Sequence, residues 1–186
     1  MTRTEIELAS DFVRRWGALS KERRAQLGKQ MPVAAVQVAA LSHPDVTIRR
    51  SCLFLFYHYA SDSSFETFRQ ALNDPVAFVR EGALHGIGCE RCRYGDVCVT
   101  EVVTDLVQML ACDPNAEVRH KTVVALARFL NRDDRAGEAI ARAANDDPDP
   151  AVRYVARSVG ERGQPHHRGR KAALRDERRA RRVGHA

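Results

Sequence analysis

Four segments of this chain align without gaps, and their spacing limits the folds open to it more than any other feature. They are His43-Pro44-Asp45-Val46-Thr47-Ile48-Arg49, Asp74-Pro75-Val76-Ala77-Phe78-Val79-Arg80, Asp113-Pro114-Asn115-Ala116-Glu117-Val118-Arg119 and Asp147-Pro148-Asp149-Pro150-Ala151-Val152-Arg153. In each, proline precedes a β-branched residue by four positions and an arginine by five. The prolines recur at intervals of 31, 39 and 34 residues, the length of one helical hairpin.

Each unit reads the same way in physical terms. Proline has no backbone donor and a preset φ, so it stops one helix and favours the opening of the next. Four residues after the β-branched position stand Cys52, Ala83, Thr122 and Ala156, and eight after it stand Phe56, Ile87, Leu126 and Gly160. These positions share one helical face, and the small residues on it let a neighbouring helix approach closely. Before each proline a second helical stretch ends, VAAVQVAAL, FETFRQAL, VTDLVQML or AGEAIARAA, and nowhere does an alternating strand pattern appear. The expected unit is a pair of antiparallel helices, and the expected fold class is all-α.

The pattern resembles the HEAT repeat family, in particular its short bacterial form, whose signature is Asp-Pro, three variable residues, Val-Arg and a small residue. The resemblance covers residues 33–161. It implies an α-solenoid of helical hairpins, in which Arg49, Arg80, Arg119 and Arg153 form a structural row bonded to turns and acidic groups of adjacent units. The first unit departs from the pattern, with His43 at the aspartate position, and the last carries Gly160 where a large core residue would stand. Residues 1–32 read as two N-terminal capping helices, with Trp16 a plug over the first repeat.

The net charge of +6 is unevenly spread. Residues 162–186 hold nine Lys/Arg against two Asp/Glu, which leaves residues 1–161 with 21 against 22. The expected tail is basic and disordered, and any nucleic-acid binding is expected to reside in it. The opening stretch carries acids and lacks a leader's apolar run, no segment is apolar enough for a membrane span, and a cytoplasmic protein with reduced cysteines is expected.

Three of the five cysteines fall in Cys89-Glu-Arg-Cys92-Arg-Tyr-Gly-Asp-Val-Cys98, an insertion between Gly88 and Val99 that accounts for the long interval. With His85 they give His-x3-Cys-x2-Cys-x5-Cys, four soft ligands of the kind tetrahedral zinc takes, and Cys112 is an alternative fourth ligand. One structural zinc is one reading. Small thiols of an ordinary turn and a redox pair are the others.

In a solenoid, the positions two and three after the β-branched residue line one surface. Here they hold Arg50, Glu81, His120 and Tyr154, then Ser51, Gly82, Lys121 and Val155. Arg50, Glu81, His120, Lys121 and Tyr154 are therefore the candidate partner-binding residues, and their mixed chemistry suits a protein better than a phosphate backbone. Helix RRSCLFLFYHYA is apolar nearly all round, so Leu53, Phe54 and Tyr57 are either covered by the capping helices or form a groove. No phosphate loop, nucleophile motif or His-Glu-x-x-His is present, so no catalytic residue is assigned. The expected function is a non-catalytic protein-binding scaffold or adaptor. The alternatives are a nucleic-acid-associated protein, or an enzyme of the HEAT-like DNA-repair or bilin-lyase type.

Overall fold

A computed structural model describes residues 3–59, 62–88 and 99–162. Among these residues there are ten α-helices and no strand, and none of the helices is long and apolar enough to cross a membrane. The chain forms two compact units, Met1–Asp96 and Val97–Ala186. The first holds α1 (Arg3–Gly17), α2 (Lys21–Gly28), α3 (Val33–Ser42), α4 (Val46–His58), α5 (Asp62–Ala71) and α6 (Ala77–Gly88). The second holds α7 (Val99–Cys112), α8 (Ala116–Leu126), α9 (Asp134–Asp146) and α10 (Pro150–Arg162), with a 3-10 turn at Ala127–Phe129.

Within the first unit α3 pairs with α4 and α5 with α6, α3 packs on α5, and α4 packs on α6. Helix α1 lies against both α3 and α4, which covers the first hairpin. The second unit repeats the scheme: α7 pairs with α8 and α9 with α10, while α7 packs on α9 and α8 on α10. Each unit thus contains two layers, one of leading helices and one of following helices.

The core lies between those layers. Cys52, Phe56, Phe68, Val79, Ala83 and Ile87 are fully buried in the first unit, as are Val118, Thr122, Leu126 and Phe129 in the second. Each large apolar side chain buried this way stabilises by about 1.5–3 kcal/mol. A β-carbon on Gly86 would lie 2.6 Å from the Phe68 ring, so the absence of a side chain there allows α5 and α6 to approach closely. Gly160, by contrast, faces open space.

One turn is built four times. The residue before each proline accepts a hydrogen bond from the backbone N–H two positions on: His43 Nδ1 from Asp45 at 3.0 Å, and Oδ1 of Asp74, Asp113 and Asp147 from Val76, Asn115 and Asp149 at 2.8 Å. The following arginine donates Nη1 back to the carbonyl that opens the turn, at 2.8 Å from Arg49 to His43, 2.8 Å from Arg80 to Asp74, 2.9 Å from Arg119 to Asp113 and 2.5 Å from Arg153 to Asp147. Asp45, Asn115 and Asp149 then cap α4, α8 and α10 by accepting from N–H groups of the first turn. That bond to Thr47 holds the Asp45 carboxyl below its ordinary pKa. Arg49 and Arg119 also reach the next hairpin: Arg49 grips Asp74, and Arg119 grips Asp147, each through Nε and Nη2. The bonds to Asp147 raise the Arg119 pKa, so its charge is fixed.

Candidate functional site

Helix α4 positions the most distinctive surface of the first unit. Its sequence, VTIRRSCLFLFYH, is apolar on more than one side, and the structure divides those sides between core and solvent. Leu53 is 0% exposed, Tyr57 is half-buried and Phe54 is 44% exposed. Leu53 lies against Gly82 of α6, whereas Phe54 meets Trp16 of α1 and stays partly open. Residue 54 stands four after 50, and 57 and 58 stand three and four after 54, so Arg50, Phe54, Tyr57 and His58 form a stripe along the helix.

Side chains from α1, α2 and α6 complete it. Trp16 of α1 meets Phe54 edge-on at 5.7 Å between centroids and lies 5.6 Å from His58. Phe54 contacts Tyr57 at 5.6 Å and His58 at 4.8 Å, both edge-on. Trp16 Nε1 donates to the Tyr59 hydroxyl at 3.1 Å, and that hydroxyl donates to the Arg24 carbonyl at 2.6 Å. Arg24 of α2 lies over the Trp16 ring at 4.6 Å and also donates to the carbonyls of Trp16 and Gly17. On the other side, Tyr57 donates to the Gly82 carbonyl of α6, and Arg50 donates to the Phe78 carbonyl while its guanidinium covers the Phe78 ring at 4.0 Å. Phe78 is 48% exposed. Edge-to-face pairs and cation–π contacts of this kind each contribute about 0.5–1.5 kcal/mol, so the rings are held in place.

The electrostatics of this face are one-sided. Among the described residues neither Arg24 nor Arg50 forms an ion pair with a carboxylate, whereas Arg14, Arg49, Arg69, Arg119 and Arg135 each do. A guanidinium carries five N–H donors, and here backbone carbonyls take only one from Arg50 and two from Arg24. The arrangement can hold an apolar side chain on the exposed rings and an anion on the remaining donors.

Of the residues singled out from sequence, Arg50 belongs to this face, and Glu81 sits half-buried on α6. Lys121 and Tyr154 are half-exposed on α8 and α10, with Lys121 3.9 Å from Glu117. His120 is 3% exposed and lies inside the protein, which corrects its assignment to the surface row. Arg153 is half-exposed. Phe78, Trp16 and Arg24 belong to the same face and stand outside the row that the repeat register defines. A signal for Phe78 existed, since a phenylalanine stands at the position Thr47 and Glu117 occupy in other units, outside the core register.

His85 is exposed at the end of α6, its ring 4.7 Å from Tyr57, and Cys112 is exposed at the end of α7. Cys89, Cys92 and Cys98 lie outside the described residues, as do all but the first residue of the 162–186 tail. Among the described residues no three His, Cys, Asp or Glu side chains are gathered as a metal site. Cys52 is buried, and burial pushes its thiol up to about 12, so it stays protonated and unreactive. In the second unit an apolar groove of about 470 Å³ runs between α9 and α10, lined by Gly137, Ala141, Ala144, Ala156 and Gly160 among others.

No protein-family model matches the chain, nor does any curated protein or solved structure.

Proposed function

We propose that this chain is a non-catalytic protein-binding scaffold or adaptor, a HEAT-like α-solenoid acting in the cytoplasm. The observation that carries the reading is the exposure of Phe54 and Phe78 beside Arg50 on one face of the first unit. Rigid aromatic groups with an adjacent arginine are the residue types that dominate protein interfaces, and exposed rings braced from beneath lose little conformational freedom on binding. Site-specific photo-cross-linking tests this directly. A benzophenone side chain placed at Phe54 or Phe78 should capture a defined protein that the same group at exposed Arg132 does not. Capture of the same background from all three positions would count against the assignment.

A second reading rests on the tail, whose nine Lys/Arg against two Asp/Glu suit a polyanion. On that reading the protein is nucleic-acid-associated, and truncation after Glu161 should abolish retention on nucleic acid. Steeply salt-dependent binding by the truncated chain would move that activity to the folded body.

A further inference from the structure

We propose that the face running from Arg24 and Trp16 across Phe54 to Arg50 and Phe78 docks a short acidic peptide of a partner protein. An apolar side chain of the peptide seats on Phe54, and Asp or Glu carboxylates on either side of it engage Arg24 and Arg50. The inference rests on the protein-binding reading above and narrows it to one class of partner.

The first support is the pairing of open rings with uncommitted charge. Leu8, Val33, Phe54 and Phe78 are the large apolar side chains left exposed among the described residues, and only the two phenylalanines have a guanidinium within one aromatic contact. Arg50 lies directly on Phe78, and Arg24 lies on Trp16, whose edge meets Phe54. Both arginines are oriented by ring and carbonyl contacts, neither is neutralised by a carboxylate among the described residues, and both keep N–H donors. A carboxylate is the planar acceptor that such a fork takes bidentately.

Dimensions set the length of the peptide. From Arg50 to His58, beside Trp16, α4 rises about 12 Å at 1.5 Å per residue, a distance that about four residues of extended peptide cover. The matching sequence has one apolar anchor with an acidic residue about two positions to each side.

Charge separates this occupant from a nucleic acid. Residues 1–88 hold 11 Lys/Arg against 9 Asp/Glu, an excess that suits two carboxylates and falls short of the row of cations needed along a phosphate backbone. Three other arginines of the unit have acidic partners: Arg49 is buried against Asp74, and Arg14 and Arg69 have acidic neighbours on their own helices.

The test is selection of random 12-residue peptides displayed on phage against the full chain. Enriched peptides are then synthesised and their affinities measured by fluorescence anisotropy, beside a 12-nucleotide oligo-dT. Peptides with an aromatic or aliphatic anchor flanked by Asp or Glu should emerge. Phe54→Ala should weaken their binding about tenfold or more, measured well below the variant's own unfolding temperature because the ring also contacts Trp16, Tyr57 and His58. Arg50→Gln should weaken binding and flatten its salt dependence, and Arg50→Lys should restore part of the loss. Selected peptides without acidic residues, or acidic ones indifferent to both Phe54→Ala and Phe78→Ala, would overturn the proposal. So would oligo-dT binding that Phe54→Ala abolishes while acidic peptides remain silent. If no peptide is enriched this inference falls, whereas the broader protein-binding reading stands or falls on the cross-linking from positions 54 and 78.

Discussion

Arg49 holds two hairpins together through Asp74. Its Nε donates to Asp74 Oδ2 at 2.7 Å and its Nη2 to Oδ1 at 3.0 Å, while Nη1 closes its own turn on the His43 carbonyl. Both side chains are nearly excluded from solvent, at 9% and 5% exposure. The pair therefore has to be judged as a buried one, in which desolvation offsets much of the attraction but loss of one partner strands the other.

Arg49→Ala should accordingly cost about 3–5 kcal/mol, because Asp74 would remain buried and charged against two hydrogen bonds fewer. Asp74→Ala should cost a similar amount, since it also frees the Val76 N–H it accepts from. Arg49→Ala and Asp74→Ala together should cost less than the sum of the two single changes, because neither partner is then left stranded. Chemical denaturation of the four proteins closes the cycle, and additive single effects would show that the two side chains act separately.

The first turn solves the same problem without an arginine before it. His43 Nδ1 accepts the Asp45 N–H, so the ring proton sits on Nε2 and points at Ser10 Oγ of α1, 3.0 Å away. Replacing His43 by the aspartate found in the other three turns should destabilise the protein by about 3 kcal/mol, although the repeat pattern recommends it. Arg49 donates to the His43 carbonyl and not to its side chain, whose partners are the Asp45 N–H and Ser10, so a carboxylate buried there would have neutral donors only. His43→Asn keeps an acceptor for Asp45 and should cost about 1 kcal/mol. Thermal melts of the two variants decide the matter, and equal stability of both would remove the charge argument.

Helix positions and their register were legible in the sequence because proline and the i, i+4, i+8 pattern act within a single helix. Ile48, Cys52 and Phe56 needed nothing beyond that pattern to be placed inside, and all three are buried. The pattern could not say which neighbour covers a second apolar side. Leu53 and Phe54 are adjacent and similar, yet one is fully buried and the other open, because Leu53 lies against Gly82 of α6 while Trp16 of α1 meets Phe54 edge-on and covers only part of it. His120 failed for the related reason that a surface row is defined by how successive helices stack, which no single helix specifies. The proposed face is assembled from α1, α2, α4 and α6, so only its α4 stripe could be read in advance.

The turn before α6 lacks a feature that its three counterparts have. Asp45, Asn115 and Asp149 accept from N–H groups of the helix they open, whereas the corresponding residue is the half-exposed Val76, which offers no acceptor. Val76→Asn should therefore stabilise by about 0.5–1 kcal/mol, supplying a cap at little apolar cost. A rise in the denaturation midpoint at unchanged slope is the expected result. No rise would mean that the first-turn N–H groups of α6 are already satisfied.

Two glycines within helices should respond to alanine with opposite signs. On propensity alone either change favours the helix by up to about 1 kcal/mol. At Gly86 the new methyl would lie 2.6 Å from Phe68, a ring that is itself 0% exposed and packed against Phe56 and Tyr57. Neither α5 nor the ring can give way without disturbing the core, so overpacking should outweigh propensity and leave Gly86→Ala destabilised by about 1–3 kcal/mol. At Gly160 nothing lies within 4 Å of the position a β-carbon would take, and the residue is exposed near the end of α10. Gly160→Ala should therefore stabilise by up to about 1 kcal/mol, somewhat less if the last turn frays. Measuring both by urea denaturation separates packing from propensity. Stabilisation by Gly86→Ala would show that α5 and α6 do not meet as closely as the Phe68 contact requires.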